Sequence, residues 1–371
     1  MKKVIGILNL HGEPSLGELT EKRPLGTLTF LGRYGLMDFL LSNYSNSGIN
    51  IIPILVEGQN DAVRSHIRDG NIWINNTKFG FLRLLMNEKM LNNPSFNTDV
   101  NNMLANSHIL NDIESEYVIV GNAHFLFSFD FRNLVDFMDE SGADITILYS
   151  RRNDADKEFY HCDAYSLSGN KILDSKPNNG NKKDADIGLE TYIIKRSVLQ
   201  ELLLKSDEIS RLYTLRDLIN HVIHRQTYDI RGYRFDGYLV PILTIEGYIE
   251  NSFALLKDEN YHRLFDENWP IYTTSHNTPP AKYLEFADVK NSFIANGSII
   301  NGKVENSILS RDVIVEKDAE VKNCIIFTHS VIGERVKMRY VVADKHSESR
   351  KYKQLKGSKD DIIIIPQGAK V

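Results

Sequence analysis

Residues 291–343 read NSFIANGSIINGKVENSILSRDVIVEKDAEVKNCIIFTHSVIGERVKMRYVVA. Apolar side chains fall at Phe293, Ile299, Val304, Ile308, Val313, Ala319, Ile325, Val331, Val336 and Val342, mostly five or six positions apart. Asn, Gly, Ser, Asp and Lys fill the intervals. Neither the helical period of 3.6 nor the strand period of 2.0 gives this step. It predicts short strands that turn a corner every six residues, as in a hexapeptide parallel β-helix. About three coils fit, on the order of 18 residues each. A meander of short strands is the competing reading, and the persistence of the step over about 50 residues argues against it. A short solenoid exposes both ends, so it calls for a cap, a neighbouring domain or another subunit.

Upstream, the pattern is different. Val4 to Leu8, Ile51 to Val56, Tyr117 to Val120 and Ala143 to Tyr149 are short apolar runs, the pattern of strands covered on both faces. Leu36 to Ser47, Asp61 to Ile67 and Phe131 to Met138 carry helical spacing, the first ending at Gly48. Alternation of this kind predicts an α/β fold with a mostly parallel, doubly wound sheet. Ligands of such sheets sit beyond the carboxyl ends of the strands, which directs attention to Asn9–Phe30 and Gly121–Phe125. The Asn-rich stretch Lys78 to His108 has no clear period. Trp269-Pro270 and Thr278-Pro279-Pro280 break helix and mark a linker. The expected organisation is an α/β domain at 1–265, a linker at 266–285 and a β-helix at 286–371. A chain of 371 residues suits two cores better than one.

Composition narrows the function. The net charge is −5 with acids and bases interspersed, so nucleic acid is not an expected partner. The most basic stretch, Arg350 to Lys359, reads as a solvated loop. Two cysteines, Cys162 and Cys324, imply neither a disulfide framework nor a zinc site. The opening MKKVIGILNL runs straight into HGEPS, which suits a first strand better than a signal peptide. No apolar run reaches membrane-spanning length. A cytoplasmic location is expected.

Several longer motifs carry a resemblance. Gly32-Arg33-Tyr34-Gly35-Leu36-Met37-Asp38-Phe39-Leu40-Leu41-Ser42-Asn43, followed by Asn46-Ser47-Gly48-Ile49, is similar to a run in the ADP-glucose pyrophosphorylase (glucose-1-phosphate adenylyltransferase) family. So are Asn268-Trp269-Pro270-Ile271, Pro279-Pro280-Ala281-Lys282, Asn296 to Gly302 and Val304 to Leu309, in the same order along the chain. The resemblance implies a Rossmann-like (GT-A-like) nucleotidyltransferase domain followed by a left-handed β-helix. The implied family reaction joins ATP and glucose 1-phosphate to give ADP-glucose and pyrophosphate for glycogen synthesis.

Nucleotidyl transfer needs cations against the phosphates and carboxylates that hold magnesium. The resemblance puts these groups at positions where this chain lacks them. The first loop, Leu10-His11-Gly12-Glu13-Pro14-Ser15-Leu16, keeps its length but loses the glycine run. Ser15 stands at the family's catalytic arginine and Leu25 at its phosphate-binding lysine, while Lys22 and Arg23 remain nearby. Asn122 replaces one magnesium aspartate and Pro241, within Tyr238 to Thr244, replaces the other. His124 resembles a family histidine and suits packing better than metal binding. On the sugar side, Asp174-Ser175-Lys176-Pro177 resembles the segment whose lysine grips the sugar phosphate, so Lys176 is the sugar-phosphate candidate. Tyr192, Arg216 and Asp217 are pocket-wall candidates, and Glu190 stands at a family glycine.

Four lost charges in three loops resemble the non-catalytic, GlgD-type subunits of the family. That likeness implies no intact catalytic residue, no bound Mg²⁺, and a catalytic adenylyltransferase subunit as partner in a hetero-oligomer, a tetramer by family habit. It also implies a small-molecule effector or sugar phosphate as ligand, with Arg33 the effector-binding candidate. An active adenylyltransferase is the alternative. A hexapeptide acyltransferase would need a catalytic histidine between coils, for which His329 and His346 are the candidates.

Overall fold

The computed structural model describes residues 3–58, 60–75 and 78–371. The chain packs into two compact units, and neither is continuous in sequence. The first comprises Met1–Pro14, Met37–Pro241 and Asp266–Tyr272; the second comprises Ser15–Leu36, Ile242–Phe265 and Thr273–Val371. Two segments that the sequence pattern grouped with the α/β region, Ser15–Leu36 and Ile242–Phe265, therefore belong with the coils.

Among its described residues the first unit holds a nine-stranded sheet. Its order is Phe81–Leu85, Ile51–Leu55, Val4–Asn9, Tyr117–Gly121, Ala185–Lys195, Ile145–Arg152, Ile230–Arg234, Lys171–Pro177 and Asp163–Ser168. The first four strands are mutually parallel. Ala185–Lys195 runs against both of its neighbours, so the sheet is mixed rather than mostly parallel. Val4–Asn9 is buried along nearly its whole length, as a central strand with no polar face must be. Its Gly6 is required by close approach, because a Cβ there would meet the Tyr44 ring and Ile49 at 3.0 Å.

The helices end where local chemistry ends them. Met37–Asn46 stops before Gly48, which takes φ +76°. Phe131–Ser141 starts at Asp130, whose carboxylate accepts from Arg132 N, and closes at left-handed Gly142. Leu215–Arg225 opens on a reciprocal capping box between Thr214 and Asp217. The Asn-rich stretch contains the strand Phe81–Leu85 and the short helix Asp99–Ala105.

The second unit is a left-handed parallel β-helix with the two other segments packed on it. Its described strands form three five-stranded parallel sheets, hence five coils instead of the expected three. The difference lies at the ends. The inward residues of the first coil, Ala287, Val289 and Ile294, are only partly buried, and the last coil is interrupted between Gln354–Lys356 and Ile363–Ile365. Inside stack Ile300, Val304, Leu309, Val315, Val321, Ile326 and their successors, all buried. The corners are turned by left-handed residues, for example Asn291, Asn306, Asn323 and Tyr340 in one column. In that column Asn291 Nδ2 donates to Asn306 Oδ1 at 2.9 Å, and Asn306 Nδ2 to Asn323 Oδ1 at 2.6 Å. Asn pays little for this conformation because its amide finds local partners, and here the next coil supplies them.

Ser15–Leu36 is locked to the coils by a buried pair. Arg23 Nη2 donates to Asp344 Oδ2 at 2.5 Å, and the side chains keep only 6% and 3% of their surface. At Gly32, φ +71°, a Cβ would lie 2.8 Å from the Leu309 carbonyl oxygen. Among the described residues, no helix is long and apolar enough to cross a membrane.

Candidate functional site

In the first unit, polar side chains gather at the carboxyl ends of Val4–Asn9 and Tyr117–Gly121. This is where an α/β sheet opens a crevice for ligands. Asn122 follows the second of these strands directly. Its Oδ1 accepts from the backbone N–H of His124 at 3.1 Å and of Phe125 at 3.2 Å. Its Nδ2 donates to the carbonyls of Leu189 at 3.0 Å and Glu190 at 3.3 Å. Both ends of the amide are thus engaged in shaping the turn. Pro241 lies in a two-residue antiparallel pairing, opposite Phe125.

Beside Asn122 sits an ionic cluster. Arg216 donates to both oxygens of buried Asp163, at 2.7 and 2.9 Å, and to the His161 carbonyl. Its Nη1 also lies 3.1 Å from Glu190 Oε1. Glu190 Oε2 faces His124 Nε2 at 3.5 Å. Burial pushes the Glu190 carboxyl up to about 7, with Arg216 pulling it back in part. The side chain keeps 22% of its surface, so water moderates that cost. For Arg216, burial alone would weaken the charge, but Asp163 and Glu190 outweigh it and hold the guanidinium protonated. His124 is held neutral, down to about 3, by burial and then by the Arg216 charge. Burial, reinforced by Glu190, pushes the Cys162 thiol up to about 12.

Two buried polar atoms of this region, His124 Nδ1 and Tyr192 Oη, have no partner among the described residues. Glu190 adopts φ +46°, which costs a side-chain-bearing residue on the order of 1 kcal/mol. It sits where the pairing of Ala185–Lys195 with Ile145–Arg152 slips between Gly188 and Thr191.

The first loop contributes a second polar group. His11, within the stretch that lost its glycine run, is buried and accepts at Nε2 from Asn102 Nδ2 at 2.9 Å. Burial lowers the His11 pKa, while Asp99 acts in the opposite sense. Asp99 is raised by burial and accepts from Asn9 Nδ2 at 2.8 Å and from the backbone of Leu215 at 3.0 Å. This ties the start of the Arg216 helix to the end of the first strand.

The remaining expected positions lie elsewhere. Lys176 is exposed and pairs with Asp174 at 2.8 Å. Ser15, Leu25 and Arg33 are in the second unit. Ser15 is exposed and its Oγ accepts from Gly17 N, while Leu25 is buried and opens a 3-10 turn. Of the two basic residues near that loop, Lys22 and Arg23, the second is engaged with Asp344. Arg33 lines a cavity of about 280 Å³ with Tyr34, Tyr261, His276, Asn296 and Arg311, and its guanidinium lies 5.7 Å from the Tyr34 ring centre. His329 and His346 are corner residues on adjacent coils with rings stacked 5.1 Å apart. Asp217 proves to be a helix cap, a role visible in the Thr214-x-x-Asp217 spacing. Asp163 and Asp99 carried no local signal; each is defined by partners more than 50 residues away.

A magnesium ion of the kind the resemblance implies would need charged oxygen ligands. Both Oδ1 lone pairs of Asn122 are directed at N–H groups, and the Pro241 side chain has no ligand atom. Among the described residues no group of three or more His, Cys, Asp or Glu could hold a metal. These positions do not fit the ion.

A nucleotidyl transferase family model matches residues 15–232, and a GlmU-like C-terminal hexapeptide model matches residues 279–355. A glucose-1-phosphate adenylyltransferase of Thermosipho africanus is 30% identical over 329 residues, covering 87% of this chain and 78% of that one. The chain belongs to the glucose-1-phosphate adenylyltransferase family. The Fervidobacterium nodosum member is also 30% identical, over 91% of this chain and 81% of its own. A Bacillus cereus member is 26% identical over 99% of both. Within this family frame the motif ending in Asn43 has a structural role. Asn43 Nδ2 donates to the Phe127 carbonyl, and its Oδ1 accepts from Trp269 Nε1 at 2.8 Å. The Asp266–Tyr272 stretch, read from its prolines as linker, is thereby anchored to the first unit.

Proposed function

We propose that this chain is a non-catalytic, GlgD-type member of the glucose-1-phosphate adenylyltransferase family. It associates in the cytoplasm with a catalytic subunit, as a hetero-oligomer on the tetrameric family pattern, and modulates ADP-glucose synthesis for glycogen. The reading assigns it no Mg²⁺ ion. One observation carries it: the Asn122 amide, at a family metal position, is engaged at both ends by backbone groups. Losing one preorganised transition-state charge contact typically slows a reaction by about 10²–10³, and the arginine, lysine and aspartate positions are all altered together.

Modulation requires only that the chain bind two arrangements of the assembly unequally. The cavity that holds Arg33 and Arg311 suits an anionic small-molecule effector. Lys176, tied to Asp174 and exposed, is the sugar-phosphate candidate that remains on the first unit.

The test is ADP-glucose formation by the purified chain with ATP, glucose 1-phosphate and Mg²⁺, then with a catalytic family member added. Background activity alone, with co-elution and an altered rate in the mixture, is the expected result. Turnover by the chain alone at the rate of a catalytic member favours the active-enzyme alternative. Failure either to co-elute or to change the partner's rate removes the modulating role.

A further inference from the structure

The ionic cluster beside Asn122 has an unusual balance. One guanidinium, Arg216, faces two carboxylates, Asp163 and Glu190. Asp163 is sufficient to neutralise it, through two hydrogen bonds and in a buried position. Glu190 is therefore surplus to structural charge pairing. It is nevertheless kept in a backbone conformation that glycine would adopt freely, φ +46°. Both Arg216 and Glu190 retain a window to solvent, with 31% and 22% of their side-chain surfaces accessible. Strain retained at a crevice points to a function for the residue that bears it.

We propose that Glu190 is a resident acid that occupies Arg216 and closes this crevice to phosphate-bearing small molecules. The inference rests on reading the chain as a non-catalytic family member. In it, Glu190 takes the place on Arg216 that the oxygen of an incoming phosphate would take. Above about pH 7, where its carboxyl is ionised, it leaves the cluster with one more negative charge than positive, which repels any dianion approaching through the opening. His124 adds no cation there, since burial keeps its ring neutral. The crevice is thus blocked by substitution rather than by collapse, and removing one side chain should reopen it.

The experiment uses the full chain and its Glu190→Gly and Glu190→Gln variants at about pH 8, titrated calorimetrically with inorganic phosphate and with glucose 1-phosphate. Glycine removes the acid and the backbone strain together. Glutamine keeps the volume and removes only the charge, so a folding defect in one variant leaves the other to decide. Circular dichroism establishes that each is folded. The expected result is at least a tenfold gain in affinity for one or both ligands in either folded variant, abolished by adding Arg216→Gln. Gain for both ligands identifies a plain phosphate site; gain for glucose 1-phosphate alone adds recognition of the hexose. The proposal is overturned if the wild-type chain binds these ligands as tightly as the variants, if neither variant gains affinity, or if the gain survives Arg216→Gln. Co-elution with a catalytic member is scored separately on the wild-type chain. A chain that associates but gains no anion affinity therefore rejects this inference alone, and one that gains affinity without associating rejects the subunit reading alone.

Discussion

The crevice of the first unit and the coils of the second both pair polar side chains, and they do so by different routes. In the coils, a polar residue finds its partner one turn later. Ser347 Oγ meets Ser330 Oγ at 3.0 Å, and Lys322, Lys337 and Lys351 reach Glu305, Glu320 and Glu334 at 2.7, 2.9 and 2.9 Å. Each of these pairs is separated by 17 positions, so one repeat solves the problem for many residues at once. In the crevice no repeat exists. Asn122 is satisfied by the turn, from residues 2 and 3 positions on, and by residues 67 and 68 positions away; Arg216 is satisfied from 53 and 55 away. Among the described residues His124 Nδ1 and Tyr192 Oη lack partners here, as Ser310 Oγ does in the coils. Periodicity gives satisfied polar groups cheaply. An irregular site reaches the same end through turn contacts combined with particular long-range ones.

Four changes probe that contrast, in decreasing order of effect. Asp344→Ala breaks the non-periodic pair of the second unit and leaves buried Arg23 uncompensated. A loss of about 3–5 kcal/mol is expected in urea denaturation; a loss below 1 kcal/mol would mean that the coils do not depend on the Ser15–Leu36 segment. Asn122→Ala leaves the turn donors of His124 and Phe125 unpaired at the crevice. The cost should be about 1–3 kcal/mol, and a neutral outcome would show that the amide is not committed to the turn.

Glu190→Gln tests the strained acid through pH. The folded chain holds the Glu190 proton up to about 7, against an ordinary carboxyl value of 4.5. The stability due to that proton is fully present below the unfolded value and is lost as pH rises through the folded one. Relative to the glutamine variant, the wild-type chain should therefore weaken by about 1–2 kcal/mol between pH 4.5 and 8. Parallel stability curves for the two proteins would rule out a raised carboxyl. The smallest effect is expected for Lys337→Gln. That pair is about half exposed on both sides, so less than about 1 kcal/mol should be lost. A larger loss would show that stacked ion pairs reinforce one another along the coil.

The amino-acid sequence by itself determined the β-helix, the α/β character of the rest and the frame of the family. The step of five or six residues, the apolar runs such as Val4–Asn9 and the stop at Gly48 are local signals with local causes. Tertiary structure alone decided the other features. It raised the coils to five, because strand pairing recruits end segments that fall outside the regular step, Lys282–Tyr283 at one end and Ile363–Ile365 at the other. It reversed Ala185–Lys195 within the sheet and grouped Ser15–Leu36 and Ile242–Phe265 with the coils. It showed that Asn122 is held by the backbone and that Glu190 is paired with Arg216. The physical reason is range. A period or a cap is written within a few residues, whereas burial, charge pairing and backbone strain depend on what distant segments bring to the same place.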